Sequence, residues 1–102
     1  MVDDLGPFQK FWEVWNEAHD VIVQKDLAHF RYALEVQFVE LENHVKAGNR
    51  EAAAREATDI ISIGLNLMRR LGYTPQEIAT IARMRATDRM EGKTKEILAK
   101  YP

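Results

Sequence analysis

The stretch that decides the fold of this chain is QFVELENHVKAGNREAAAREATD, residues 37–59. On both sides of Gly48-Asn49 the apolar residues recur at helical spacing, and no strand-like alternation interrupts them. Glycine is typical of the residue just after a helix, and asparagine is typical of an N-cap. Because so short a link places consecutive helices side by side, the sequence predicts an antiparallel helix hairpin.

The helices of this hairpin have clear ends and apolar stripes. Asp26 is the predicted N-cap of the first and Gly48 its end, while Asn49 caps the second, which stops at Gly72. The stripe of the first is Leu27, Phe30, Leu34, Phe38, Leu41 and Val45. The stripe of the second is Ala53, Ala57, Ile60, Ile61, Gly64, Met68 and Leu71.

Two further helices flank the hairpin. A helix with Pro7 in its first turn is predicted to run to about Gln24, with its stripe at Phe8, Phe11, Trp12, Trp15, Ala18 and Ile22. Thr74-Pro75-Gln76-Glu77 predicts a capping box and a fourth helix to about Ala86 or beyond, followed by a short basic segment, Lys93 to Lys100. The expected fold class is all-α, with four main helices plus a basic C-terminal segment.

Composition limits the class of protein. With 102 residues, 46% hydrophobic and 29% charged, the chain is expected to form one globular domain over residues 1–102. The absence of cysteine excludes disulfides, thiolate zinc sites, iron–sulfur ligation and cysteine nucleophiles. The start of the chain is acidic and no apolar run approaches the roughly 20 residues that span a bilayer, so we expect a cytoplasmic protein without a membrane partner.

Charge is unevenly distributed along the chain. Residues 1–68 contain six Lys/Arg and twelve Asp/Glu, a net charge of -6, whereas residues 69–102 contain eight and four, a net charge of +4. This division suits carboxylates that hold a cation beside basic groups that hold phosphates. An ordinary solvated surface is the competing interpretation.

Four oxygen-bearing side chains are predicted to converge in the hairpin. Counting outward from the turn, Glu40 should face Glu56, and Gln37 should face Asp59. Within each helix the two residues are three apart, which places their Cβ atoms about 5–6 Å apart on one flank. Since clustered carboxylates repel one another, a hard divalent cation is the simplest relief, and Mg²⁺ is the natural occupant. Solvated helix faces would explain the acids individually.

These residues carry a family resemblance. Gln37-x-x-Glu40 followed by Glu56-x-x-Asp59, together with the turn and the basic stretch Arg83 to Lys93, resembles the all-α nucleoside triphosphate pyrophosphohydrolase superfamily, the MazG-like group, whose signature is E-x-x-E and then E-x-x-D. The resemblance implies a MazG-like helical bundle and Mg²⁺, with Mn²⁺ as an alternative, bound at these four positions.

The resemblance also implies an activity. Glu40, Glu56 and Asp59 would be the catalytic residues for hydrolysis of the α–β phosphate linkage of a nucleotide, which yields a nucleoside monophosphate and pyrophosphate. Removal of non-standard nucleotides is the implied role. The expected partners are a nucleotide substrate and further copies of the chain, as a dimer or a dimer of dimers, and not nucleic acid.

Gln37 departs from the family signature. An amide oxygen coordinates a cation but contributes no charge and cannot act as a base. Glu35 cannot replace it, since it lies about 160° around the helix. The alternative function is therefore a catalytically weakened MazG-like module that binds nucleotides or mediates helical interactions. A DNA-binding helix-turn-helix ranks third because the chain is slightly acidic.

Basic and aromatic residues complete the candidate site. Arg85, Arg89 and Lys93 are spaced by four and, as long as the helix lasts, are predicted to form one stripe that binds substrate phosphates, a solvated helix face being the alternative. The aromatic residues of the first helix would line either a base pocket or, as we favour, the core and a subunit interface. Their apolar surface exceeds what so short a chain can cover, which predicts at least a dimer.

Overall fold

The computed structural model describes residues 4–102; the first three residues of the acidic start lie outside this range. Within it the chain is helical and contains no strand, which confirms the all-α prediction. Six α-helices occur: α1 Gln9–Val14, α2 His19–Ile22, α3 Leu27–Lys46, α4 Arg50–Arg70, α5 Pro75–Met84 and α6 Thr94–Leu98. Turns of 3₁₀-helix occupy Gly6–Phe8 and Trp15–Ala18, and a π-helical turn occupies Arg85–Met90.

The predicted helix caps are confirmed. The Asp26 side chain accepts a hydrogen bond from the backbone N–H of His29 at 3.0 Å, and the Asn49 side chain accepts one from Ala52 at 3.1 Å. Thr74 and Glu77 form the complete capping box. Gly48 ends α3 with a φ of 72°, a backbone conformation that costs glycine little because it has no Cβ.

The prediction of one continuous first helix to Gln24 is wrong. The segment breaks into α1, a 3₁₀ turn and α2, with Ala18 outside helical geometry at φ -109° and ψ 13°. Two polar contacts with α4 hold it in this form: the Trp12 carbonyl accepts from Arg69 Nη2 at 2.7 Å, and Trp15 Nε1 donates to Ser62 Oγ at 2.8 Å. These distant partners override the local helical periodicity.

The core is small. Helices α3 and α4 pack against each other more extensively than any other pair of described elements. The buried apolar residues are Trp12, Ile22, Phe30, Ala52, Ile78 and Ala79. Of the predicted α3 stripe only Phe30 is buried, whereas Leu27 and Val45 are 62% and 60% exposed, because a chain of this length supplies too few helices to cover both sides of α3.

The buried face of α4 is polar rather than apolar, which corrects the predicted stripe. Besides Ala52, the buried residues of α4 are Ser62, Asn66 and Arg69, while Ile61 and Leu71 of the predicted stripe are exposed. The N-terminal segment, residues 9–22, explains why polar residues of α4 are buried, since its Trp12 carbonyl and its Trp15 indole supply polar partners for α4. Within residues 4–102 no helix is both long and apolar enough to cross a membrane.

Candidate functional site

The structure places Glu40 of α3 near Glu56 of α4. A hydrogen bond between two carboxyl groups requires that one be protonated, and this bond to Glu40 raises the pKa of Glu56 above its ordinary value of 4.5. Partial burial of Glu56 and repulsion by Glu40 and Asp59 act in the same direction. The charge of His44, whose Nε2 lies 3.8 Å from Glu56 Oε1, acts in the opposite direction and offsets part of this rise in pKa.

The second predicted pair, Gln37 and Asp59, lines one cavity between α3 and α4. Gln37 is half-buried and Asp59 is exposed. Neither Gln37 Oε1 nor Glu56 Oε2 has a hydrogen-bond donor, although both atoms are buried. Buried oxygens without a donor are rare in folded proteins and call for an explanation such as a bound ion or water.

The predicted metal ligands are therefore only partly assembled. All four are oxygen donors, the type that Mg²⁺ and Mn²⁺ prefer. Within the described range, however, no three His, Asp or Glu side chains are grouped closely enough to hold a metal ion. The structure supplies two pairs, Glu40 with Glu56 and Gln37 with Asp59, rather than one closed set.

The predicted basic stripe is interrupted. Arg85 and Arg89 lie in the π-helical turn that ends at Met90, whereas Lys93 lies beyond it as the N-cap of α6. The stripe, predicted for as long as the helix lasts, does not extend to Lys93, because the helix stops before Gly92 with its φ of 77°. None of the three basic residues lines the cavity beside Gln37 and Asp59.

The cavity has a volume of about 500 Å³ and runs from Gln37 and Asp59 to the underside of the N-terminal segment. Of the four aromatic candidates only Trp15 lines it, and Phe30 supplies a second aromatic wall. Its other lining residues are Ala18, Val21, Ile22, Lys25, His29, Ala33, Ser62, Ile63 and Asn66.

Sequence reasoning missed Ser62 and Asn66. Asp59, Ser62, Asn66 and Arg69 are spaced by three, four and three, so they form one continuous polar stripe along α4. This spacing was available in the sequence as a signal. A polar stripe of this kind usually faces solvent, which is why the apolar residues were assigned to the buried side.

Arg69 holds the N-terminal segment in place over the cavity. Its guanidinium donates to the Trp12 carbonyl, to Asn16 Oδ1 at 2.9 Å and to His19 Nδ1 at 3.0 Å, and it lies 3.8 Å from the Trp12 ring centroid. Burial lowers its pKa from the ordinary value. Because Trp15 and Ile22 belong to the same N-terminal segment, the Arg69 contacts position two walls of the cavity.

Comparison of the chain with known protein families, with curated proteins and with solved structures returned no match.

Proposed function

We propose that this chain is a magnesium-dependent nucleotide pyrophosphohydrolase of the MazG-like type, with α3 and α4 as its antiparallel hairpin. Two buried oxygens without donors support the proposal, Gln37 Oε1 on α3 and Glu56 Oε2 on α4. Of these two residues, Gln37 lines the cavity of about 500 Å³. A buried oxygen without a partner costs about 1–3 kcal/mol, which coordination to a cation would recover.

The acids divide the work in this proposal. A bound Mg²⁺ would neutralise charge on the phosphates and polarise the α-phosphorus. Asp59 and Gln37 would hold the cation, with Glu40 and Glu56 beside them. One of these two glutamates orients the attacking water and accepts its proton while a new oxygen–phosphorus bond forms and the α–β bridging bond breaks, which releases pyrophosphate.

Arg85 and Arg89 would neutralise the outer phosphates, and this role requires the C-terminal segment, of the same chain or of a second copy, to approach the mouth of the cavity.

The deciding experiment is pyrophosphate release from a panel of nucleoside triphosphates in the presence of Mg²⁺. Glu56→Gln and Asp59→Asn should abolish release, whereas Glu42→Gln, which removes an exposed acid from the facing helix α3, should leave it unchanged. Equal release by all four proteins, or release from none of the nucleotides, would contradict the proposal.

A second candidate function is nucleotide binding without efficient hydrolysis. The neutral Gln37 and the missing group of three acids favour it, because both weaken the hold on a second metal ion. Gln37→Glu separates the candidates: a weakened enzyme should gain turnover or metal affinity, and a pure binding module should gain neither.

The proposed assembly is at least a dimer. The exposed apolar residues of α3 include Leu27, Leu34, Phe38 and Val45, which recur at helical spacing along one side. A second copy packed there would convert this side into a shared core, and obligate interfaces resemble a core cut in half. We therefore propose the subunit contact on α3 rather than on the aromatic residues of the first segment, of which Trp12 is already buried within the chain.

A further inference from the structure

We propose that the cavity under the N-terminal segment binds a nucleobase and that the Asn66 amide pairs with the hydrogen-bonding edge of that base. This inference rests on the proposed function, because it supplies the nucleotide whose base is bound. It adds a binding residue that the acidic motif does not contain.

Asn66 is the polar residue of the buried α4 stripe whose side chain is unused. Ser62 accepts from Trp15 and Arg69 donates to three acceptors, so each has a partner in the N-terminal segment. Asn66 is only 9% exposed, lines the cavity, and makes no side-chain hydrogen bond within the described part of the chain. Its amide donors and acceptor are therefore available to a ligand in the cavity.

The cavity walls suit a planar heterocycle. Trp15 and Phe30 are aromatic, and Ile22 and Ile63 are aliphatic. The hydrogen bond from Trp15 Nε1 to Ser62 fixes the indole in place, so this wall is formed before a ligand arrives. A volume of about 500 Å³ lies within the usual range for small-molecule sites, which are mostly apolar with a few placed polar groups.

The distance between Asn66 and the acidic residues suits the length of one nucleoside. Asn66 follows Asp59 by seven residues, which is two turns, so both lie on the same side of α4 about 10 Å apart. A base held at Asn66 would direct its sugar and phosphates toward Asp59 and Gln37. An amide presents a donor beside an acceptor, and so does the pairing edge of each nucleobase, so one asparagine can form two hydrogen bonds with it.

The test is binding of nucleosides in EDTA, without metal and without phosphates. The probes are 2′-deoxycytidine, thymidine, 2′-deoxyadenosine and 2′-deoxyguanosine. The signals are tryptophan fluorescence, to which Trp15 contributes, and amide shifts in NMR spectra. At least one nucleoside should bind, and Asn66→Ala should weaken it about 10- to 100-fold, the loss expected for two hydrogen bonds to a buried partner. Asn43→Ala, an exposed asparagine on α3, is the matched control and should bind as the wild type does.

A second variant keeps the test decisive if Asn66→Ala does not fold. Asn66→Asp retains the shape but replaces the donor with an acceptor, so it should change the order of preference among the four nucleosides. Unchanged affinities and preferences in a folded Asn66 variant, or no nucleoside binding by the wild type, would overturn the inference. Magnesium-dependent pyrophosphate release tests the proposed function separately, since the nucleoside assay contains neither metal nor a scissile bond.

Discussion

Replacing Arg69 with methionine should detach the N-terminal segment and strongly destabilise the protein. Arg69 is 3% exposed, and its guanidinium joins α4 to Trp12, Asn16 and His19. Methionine fills much of the same volume without donors. The substitution therefore removes the polar contacts and leaves most of the packing.

The magnitude follows from these contacts. The buried Trp12 carbonyl loses its donor, which costs about 1–3 kcal/mol, and loss of the desolvated cation–π contact costs about 2 kcal/mol. Removing a buried cation that has no carboxylate partner returns part of this cost. We expect a net loss of about 2–4 kcal/mol, which for a chain of this size lowers Tm by about 10–30 °C.

Urea unfolding followed by far-UV circular dichroism and tryptophan fluorescence, at fixed protein concentration, measures this loss. Arg70→Met is the matched control because Arg70 is half-buried and donates to a single carbonyl, that of Lys25, so about 1 kcal/mol is expected. If Arg69→Met unfolds within about 0.5 kcal/mol of the wild type, the ordinary range for surface substitutions, then Arg69 does not anchor the segment.

Three further predictions concern pH, assembly and capping. Because the native pKa of Glu56 is raised, the native state binds more protons than the unfolded state, so the stability of the metal-free protein should fall as pH rises above 4.5 toward that pKa and stay level beyond it. Glu56→Gln should remove this pH dependence from thermal melts measured across the range. An identical slope in the variant would contradict the assignment to Glu56. Light scattering at micromolar concentration should give at least twice 11.8 kDa, and Phe38→Glu should lower the mass without unfolding; a wild-type monomer would refute the shared core. Asn49→Ala should cost about 1 kcal/mol in urea unfolding through loss of the bond from Ala52, with exposed Asn43→Ala near zero; equal effects would exclude capping.

The parts of the fold that were predictable are those determined by neighbouring residues. Asp26, Asn49 and Thr74 satisfy donors three residues away, so a short stretch of sequence contains the whole interaction. The break in the first segment depends on Arg69 and Ser62, about 50 residues further along the chain. The spacing of apolar residues within the segment cannot reveal such distant partners.

The candidate site also contains some features that neighbouring residues determine and others that depend on distant contacts. Counting from the turn predicted that Glu40 and Glu56 would lie near each other, because a tight link fixes the level of each residue. The role of Asn66 could not be predicted, because it depends on which helix face the N-terminal segment covers. That choice is made by polar partners on both elements and not by hydrophobicity.

The π-helical turn at Arg85–Met90 sets the course of the chain beyond it. Its N–H of Glu91 bonds to the carbonyl of Ala86, five residues back, so the turn holds one residue more than an α-helical turn does. Each residue of an α-helix advances the chain by about 100° around the axis. Tightening this turn to α geometry at constant length would swing α6 to a different side of the molecule, whereas deleting one residue would tighten it and leave α6 in place. The number of residues in a single turn, rather than the identity of any of them, therefore sets the direction in which α6 departs.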